Sequence, residues 1–137
     1  MKSSDAPTGA AVNVDVARLE KLVGEMQERL PGLLATDIWI AETGESIAAY
    51  NPQPGASVLF NTLTDDLIDA LATAGIPTIN RYFLLDLEGD AATLVILHGD
   101  DLRQGVGLDT RYTNIGTMLA LGLPMALRGV EEARAAD

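Results

Sequence analysis

Three apolar segments joined by two very short polar links constrain the fold of this chain more than any other feature. The segments are INRYFLLDLE, ATLVILH and LRQGVGLD, and the links are GDA and GDD. Each segment has the length and apolar content of a β-strand. Such short, turn-rich links connect antiparallel neighbours, whereas parallel strands need a crossover of a dozen residues or more. The sequence therefore predicts a three-stranded antiparallel meander.

Two segments upstream of the meander have the periodicity of amphipathic helices. The first can be capped by Asn13 or Asp15, whose short side chains accept a hydrogen bond from a free N–H of the first turn. The second runs from about Ser57 to Gly75 and has the wider apolar stripe. The two stripes are Val16, Leu19, Val23, Met26 and Leu30, and then Leu59, Phe60, Leu63, Leu67, Ile68 and Leu71.

The remaining elements complete an α+β fold. LLATDIWIA alternates as a strand with Leu34, Thr36, Ile38 and Ile40 on one side, and SIAAY returns after the turn ETGE. A last helix begins near Asn114, and Pro124 within it predicts a kink or break near Gly122.

The strand segments YFLL and LVIL are apolar on both faces, which predicts helices on both faces of the sheet. The predicted order is αββαβββα. We expect a five-stranded, mostly antiparallel sheet between one helix and two helices, as one domain over residues 13–137 after a flexible tail at residues 1–12.

Composition excludes several classes of function. The formal net charge of -11 repels phosphate backbones and anionic membrane surfaces, so we expect no nucleic-acid or membrane partner. No apolar run approaches the roughly 20 residues of a membrane-spanning helix. The chain has no cysteine, hence no disulfide and no thiolate metal site, which fits a cytoplasmic protein.

The segment HGDD holds the only histidine, His98, beside Asp100 and Asp101. It could be a metal site or an acid–base site, but a zinc site needs three or four ligands and no further histidine or cysteine exists. We interpret it as a hairpin turn, and GVG at residues 105–107 as close backbone packing or a bulge. Asp65 and Asp66 are interpreted as solvated residues early in the second helix, and Trp39 as a packing residue. We therefore expect no catalytic residue, metal or cofactor.

The third strand is a plausible edge of the sheet. Its segment RYFLL has no proline or lysine, the residues that commonly prevent an edge strand from pairing with another chain. Such an edge can therefore pair with a strand of a second chain. The second helix has more apolar surface than one sheet face requires. We therefore predict a two-fold interface; the alternative is a monomer whose edge is covered by a loop or tail. The predicted interface residues are Phe60, Leu63, Leu67, Leu71, Tyr82, Phe83 and Leu85.

The element order resembles the roadblock family of dynein-light-chain-like domains between about Asn13 and Glu132. The matching pieces are LPGLLATDIWIAETGESIAAY, the meander, and NIGTMLALGLPMAL, with TNIG the most distinctive. The turn ETGE, where the family often has Asp-x-x-Gly, and Pro124 depart from the pattern. The resemblance implies a non-enzymatic homodimer with sheets joined edge to edge and central helices packed across the two-fold. It also implies a platform for a Ras-like GTPase or a motor complex, and for a bacterial member a small Ras-like GTPase.

A fold of this kind leaves a second class of function open. Ligand-sensing and profilin-like domains share the sheet with flanking helices, so a small-molecule-sensing module is the alternative. A deep apolar pocket with converging polar groups would favour the sensor, whereas a flat sheet face and a two-fold interface would favour the scaffold. An enzyme is disfavoured because no polar constellation for catalysis is apparent.

Overall fold

The computed structural model describes residues 12–134, so the predicted tail lies outside the described residues except for Val12, which packs against the core. The elements follow the predicted order. They are α1 (Val16–Arg29), β1 (Leu33–Ile40), β2 (Ser46–Tyr50), α2 (Ala56–Thr73), β3 (Tyr82–Leu87), β4 (Ala91–His98), β5 (Leu102–Asp109), α3 (Ile115–Thr117), a π-helical turn (Met118–Gly122) and α4 (Leu123–Arg134).

The five strands form one antiparallel sheet in the order β2-β1-β5-β4-β3. The predicted meander is confirmed, because β3 pairs with β4 and β4 with β5. The β1–β2 hairpin is attached to the meander through β5, which places β1 next to the centre of the sheet. The edge strands are therefore β2 and β3, and the prediction that the third strand is an edge is confirmed.

Helices cover the two faces of the sheet unequally. Helices α1 and α4 pack together over one face, where the core includes Leu19, Met26, Ile38, Leu94 and Val130. Helix α2 lies on the other face, since its residues contact Trp39 and Arg103, which alternate with the core residues of β1 and β5. The predicted arrangement of one helix against two is confirmed.

Two local predictions about α1 and β1 need correction. Asp15 caps α1 as predicted and accepts from the Arg18 N–H, but Val16 is 43% exposed and Leu22 is buried in the stripe. Leu34 was predicted on the same side as Ile38, yet it is 49% exposed and lies on the α2 face. The pairing of β1 with β5 shifts between Leu33 and Ala35, and an extra residue in a strand reverses its alternation.

The α-helical pattern of the last helix is interrupted at Met118–Gly122, where the sequence predicts a kink or break, and the chain continues as a helix past Pro124. Asn114 caps its start by accepting from the Thr117 N–H at 2.7 Å. The chain then forms the π-helical turn, in which the Leu123 N–H donates to the Met118 carbonyl, one residue further back than in an α-helix. Because this turn precedes Pro124, α4 continues from Leu123 to Arg134. Among residues 12–134, no helix is long and apolar enough to cross a membrane.

Candidate interaction surface

Helix α2 leaves nearly all of its apolar side chains at least partly exposed. Of its 18 residues only Thr64 is buried. Val58 and Leu59 are 58% and 61% exposed, although both are large and apolar. An apolar helix with almost no buried residue has surface left for another molecule.

A polar network fixes α2 to the sheet. The Trp39 indole N–H donates to Asn61 Oδ1 at 2.9 Å, and Arg103 Nη1 donates to the same oxygen at 2.8 Å. Asn61 Nδ2 donates in turn to the Ala41 carbonyl at 2.9 Å. Arg103 also forms an ion pair with Asp65 at 2.9 Å. Asp65, predicted to be solvated, therefore helps to hold α2 in place, while Asp66 is exposed as predicted.

The structure places six of the seven predicted interface residues on the α2 side of the sheet and the seventh, Tyr82, on the opposite face. Phe60, Leu63, Leu67 and Leu71 recur at spacings of three and four and form one half-buried flank of α2. On β3, Phe83 and Leu85 are half-buried and pair with Val95 and Thr93, which places them on the α2 face. Tyr82 pairs with Ile96 and therefore lies on the opposite face of the sheet, away from the other six residues.

The outer edge of β3 is open. Among residues 12–134, β3 pairs only with β4, so its other side presents backbone donors and acceptors outward. Tyr82 and Leu87 at the two ends of the strand are 39% and 44% exposed. An open strand edge is the feature that strand pairing with a second chain requires.

A half-open cleft lies under the N-terminal half of α2. Its volume is about 400 Å³, and its lining comes from β1, β5, the loop after β2 and the start of α2, with Thr93 from β4. Phe60 closes one side and Trp39 another. The structure therefore places Phe60 in the wall of this cleft, although the sequence grouped it with the dimer interface.

One acidic side chain lines the cleft. Asp37 of β1 is 9% exposed, and its carboxylate accepts a hydrogen bond from the Ser46 hydroxyl. Burial raises the pKa of Asp37, and the Ser46 hydrogen bond opposes that shift only in part. Asp37 is not among the residues predicted to be functional, although an acid between the apolar residues of β1 is a visible signal.

The segment around His98 forms the hairpin turn that the sequence predicts. The turn is formed by residues 99–101, and His98 itself is the last residue of β4 and only 5% exposed. Its Nε2 lies 2.9 Å from Gln104 Oε1, and burial lowers the pKa of His98 to about 4. Asp101 pairs with Arg134 at 2.7 Å, which ties the turn to the end of α4. Within residues 12–134, no group of three or more acidic, histidine or cysteine side chains could hold a metal ion.

The fold is shared with solved structures of distant sequence. A roadblock/LC7 domain from Streptomyces avermitilis matches with a TM-score of 0.63 at 15% identity, over 85% of this chain and 95% of that one. An MglB protein in a tetrameric arrangement matches with a TM-score of 0.70 at 14% identity, over 86% and 91% of the two chains. Profilin II from Acanthamoeba castellanii matches with a TM-score of 0.52 at 11% identity, over 85% and 97%.

Sequence comparison gives no such likeness. No protein-family model matches the chain, and no curated protein matches it in sequence. At these identities a structural match speaks for the fold alone. The sheet order, the helices on both faces and these matches agree with the resemblance seen in the sequence, and the chain has a roadblock-like fold.

Proposed function

We propose that this protein is a non-enzymatic, homodimeric, cytoplasmic scaffold that regulates a small Ras-like GTPase in a bacterium. The observation that carries the proposal is the distribution of exposed apolar side chains. Of the eight large ones among the described residues, five lie between residues 56 and 87, on α2, β3 and the loop that joins them. They are Val58, Leu59, Ile76, Tyr82 and Leu87.

A two-fold axis beside β3 would use the part of this surface that includes Leu87 on both protomers. Val58 lies near Gly44 in the turn between β1 and β2, and Tyr82 lies on the opposite face of the sheet, so neither belongs to that part. The two β3 strands would pair edge to edge, and Leu63, Leu67 and Leu71 of α2 would meet their symmetry mates. Such an interface is isologous, because the same patch serves both chains and the contact closes on itself. The tetrameric arrangement of the MglB structure is consistent with a fold that assembles through its surfaces.

The GTPase part of the proposal rests on the roadblock-like fold and on charge. Members of the family that the sequence resembles serve as platforms for Ras-like GTPases. The net charge of -11 suits a partner with a basic face and would speed its association.

Leu67→Asp tests the assembly and the partner together. Wild-type protein at micromolar concentration should scatter light with about twice the chain mass of 14.5 kDa. The substitution would bury an unpaired charge twice in each dimer, at a cost of several kcal/mol, so we expect a monomer or an unfolded chain. Sedimentation and circular dichroism distinguish these outcomes. Glu132→Ala, at an exposed position of α4, should leave the dimer intact.

A pull-down against the small GTPase encoded nearest the gene completes the test. The dimer should retain the GTPase in at least one nucleotide state, and Leu67→Asp should lose it if the binding surface spans the two-fold. A folded, dimeric Leu67→Asp protein would show that the α2 interface is wrong. A dimer that binds no GTPase in either nucleotide state would refute the regulatory function and leave the fold untouched.

The second candidate is a small-molecule-sensing module of profilin-like fold. The observation that favours it is the cleft of about 400 Å³, since small-molecule pockets commonly have volumes of about 300–1,000 Å³. Trp39, the only tryptophan, lines this cleft and makes binding directly measurable.

A further inference from the structure

The cleft exists because the middle of one sheet face lacks side chains. On β5, Gly105 and Gly107 occupy successive positions of the α2 face, and they pair with Asp37 and Ala35 of β1. On the far side of β1, Asp37 pairs with Ala49. Asp37 therefore stands in a row of glycine and alanine on both neighbouring strands.

The two glycines differ in what lies above them. A Cβ on Gly105 would come within 3.3 Å of the Trp39 ring, so this glycine lets the indole lie flat against the sheet. A Cβ on Gly107 would meet nothing closer than the Ala35 carbonyl at 3.8 Å. The floor at Gly107 is thus open space that the protein could have filled without strain, yet the sequence leaves it empty.

The walls of the cleft are apolar, and its charge is unpaired. Leu34, Trp39 and Phe60 rise around the glycine floor. The Asp37 carboxylate receives one hydrogen bond from Ser46, and within residues 12–134 no cationic side chain shifts its pKa. Other polar groups of the rim are already engaged, as Asn51 donates to the Leu34 carbonyl and Ser57 to the Gly44 carbonyl.

We propose that this cleft binds a small apolar or aromatic amine, whose ammonium group pairs with Asp37 while its apolar body lies over Gly107, beside Trp39 and Phe60. Burying an apolar body supplies affinity, and one charged hydrogen bond to a carboxylate in an apolar setting supplies selectivity. The proposal deepens the small-molecule candidate above and does not depend on the GTPase.

The site is separate from the β3 edge. No residue of β3 lines the cleft, and β4, which contributes only Thr93, lies between β3 and the β5 floor. The α2 residues in the lining are Ala56, Ser57 and Phe60, whereas Leu67 and Leu71 lie two to three turns further along the helix. A dimer formed through β3 and the later turns of α2 can therefore leave the cleft open.

The probes are 2-phenylethylamine and its neutral counterpart 2-phenylethanol, titrated against the full chain at pH 7 and followed by Trp39 fluorescence and calorimetry. We expect the amine to bind about tenfold more tightly than the alcohol or better, the range for a hydrogen bond to a charged group. Asp37→Asn keeps the shape of the side chain and should bring the ratio of the two affinities close to one. Asp66→Asn, which removes an exposed charge from α2, should leave the ratio unchanged.

Gly107→Leu fills the floor of the cleft and should abolish binding of both probes. Equal affinity of amine and alcohol for the wild type, no binding of either probe at millimolar concentration, or an amine preference that survives Asp37→Asn would each overturn the proposal. If Gly107→Leu does not fold, the affinity ratio in Asp37→Asn decides alone. Sedimentation of the same samples keeps the test separate from the dimer, because loss of amine binding with an intact dimer refutes only this inference.

Discussion

The two faces of the sheet differ in how completely they are packed. On one face, α1 and α4 enclose a continuous core in which Leu19, Met26, Ile38, Leu94 and Val106 are fully buried. On the other, α2 rests on the sheet mainly through Asn61, Phe60 and the Arg103–Asp65 ion pair, and leaves both a cleft and an apolar flank. The same strands thus form a closely packed core on one face and a loosely packed layer on the other.

The proposed function assigns stability and interaction to different faces. A protomer needs one well-packed layer to fold, and the α1/α4 layer provides it. In the proposed function, the apolar surface of α2 that the core does not use contacts a partner or a ligand. The comparison therefore predicts that substitutions on the two faces have different consequences.

The sharpest test compares two leucine truncations, one on each face. Leu22 of α1 is 3% exposed and packs so closely on Gly129 that a Cβ there would approach its Cδ1 to 2.5 Å. Leu22→Ala should reduce the free energy of unfolding by about 2–5 kcal/mol, because a cavity remains between the helices. Leu63→Ala on half-buried α2 should cost about 1 kcal/mol or less, measured by urea unfolding under conditions where the chain is monomeric. Equal losses would contradict the comparison.

Acid should destabilise the α1/α4 face through His98. Its folded-state pKa of about 4 lies below the unfolded value of 6.5, so the unfolded chain takes up the proton first. The contribution of neutral His98 to the free energy of unfolding is complete above pH 6.5. It is lost as the pH falls from 6.5 to 4, which lowers the free energy of unfolding by about 3 kcal/mol. Unfolding free energies of wild type and His98→Gln across this range isolate the effect. Parallel curves for the two proteins would show that His98 does not carry it.

Asp37 on the other face has the opposite sign. Burial raises its pKa, so the folded chain holds the proton more tightly than the unfolded chain, and this contribution to stability declines as the pH rises through the folded pKa. The two buried groups therefore affect stability in opposite directions as the pH falls. Protonation of His98 on the packed face destabilises the folded chain, whereas protonation of Asp37 in the cleft stabilises it. The unpaired carboxylate is an energetic cost that a cationic ligand would offset.

The smallest effect concerns the attachment of α2. Asn61→Ala removes the acceptor shared by Trp39 and Arg103 and should cost about 1–3 kcal/mol, because the buried Trp39 N–H loses its partner while Arg103 keeps the Asn61 backbone carbonyl and Asp65. The Trp39 emission should shift to the red as water reaches the indole. Thr62→Ala, at the neighbouring exposed position, should change neither quantity. An unaltered emission spectrum in Asn61→Ala would show that α2 is held by other contacts.

Local patterns were sufficient to predict the element order, the meander and the β3 edge, since periodicity and turn residues are properties of neighbouring positions. The position of Leu34 on the α2 face was not predictable in this way. The extra residue at this point of β1 moves the side chains before it to the other face of the sheet, and the composition of the strand does not reveal it. The Trp39–Asn61–Arg103 network joins residues far apart in the chain, so no local pattern contains it. The cleft was partly visible: GVG indicated close packing, which holds at Gly105, but the open space at Gly107 requires the pairing with Ala35.

The π-helical turn changes the rotational phase of the terminal helix. Met118 and Leu123 are both buried although they are five residues apart, whereas Leu123, Ala126, Val130 and Ala133 recur at three and four. In a continuous α-helix each added residue rotates the side chain by about 100°. If the helix were α-helical throughout from Asn114, α4 would therefore be rotated by about 100° from its position here. The side chains that now pack against α1 would then face the solvent.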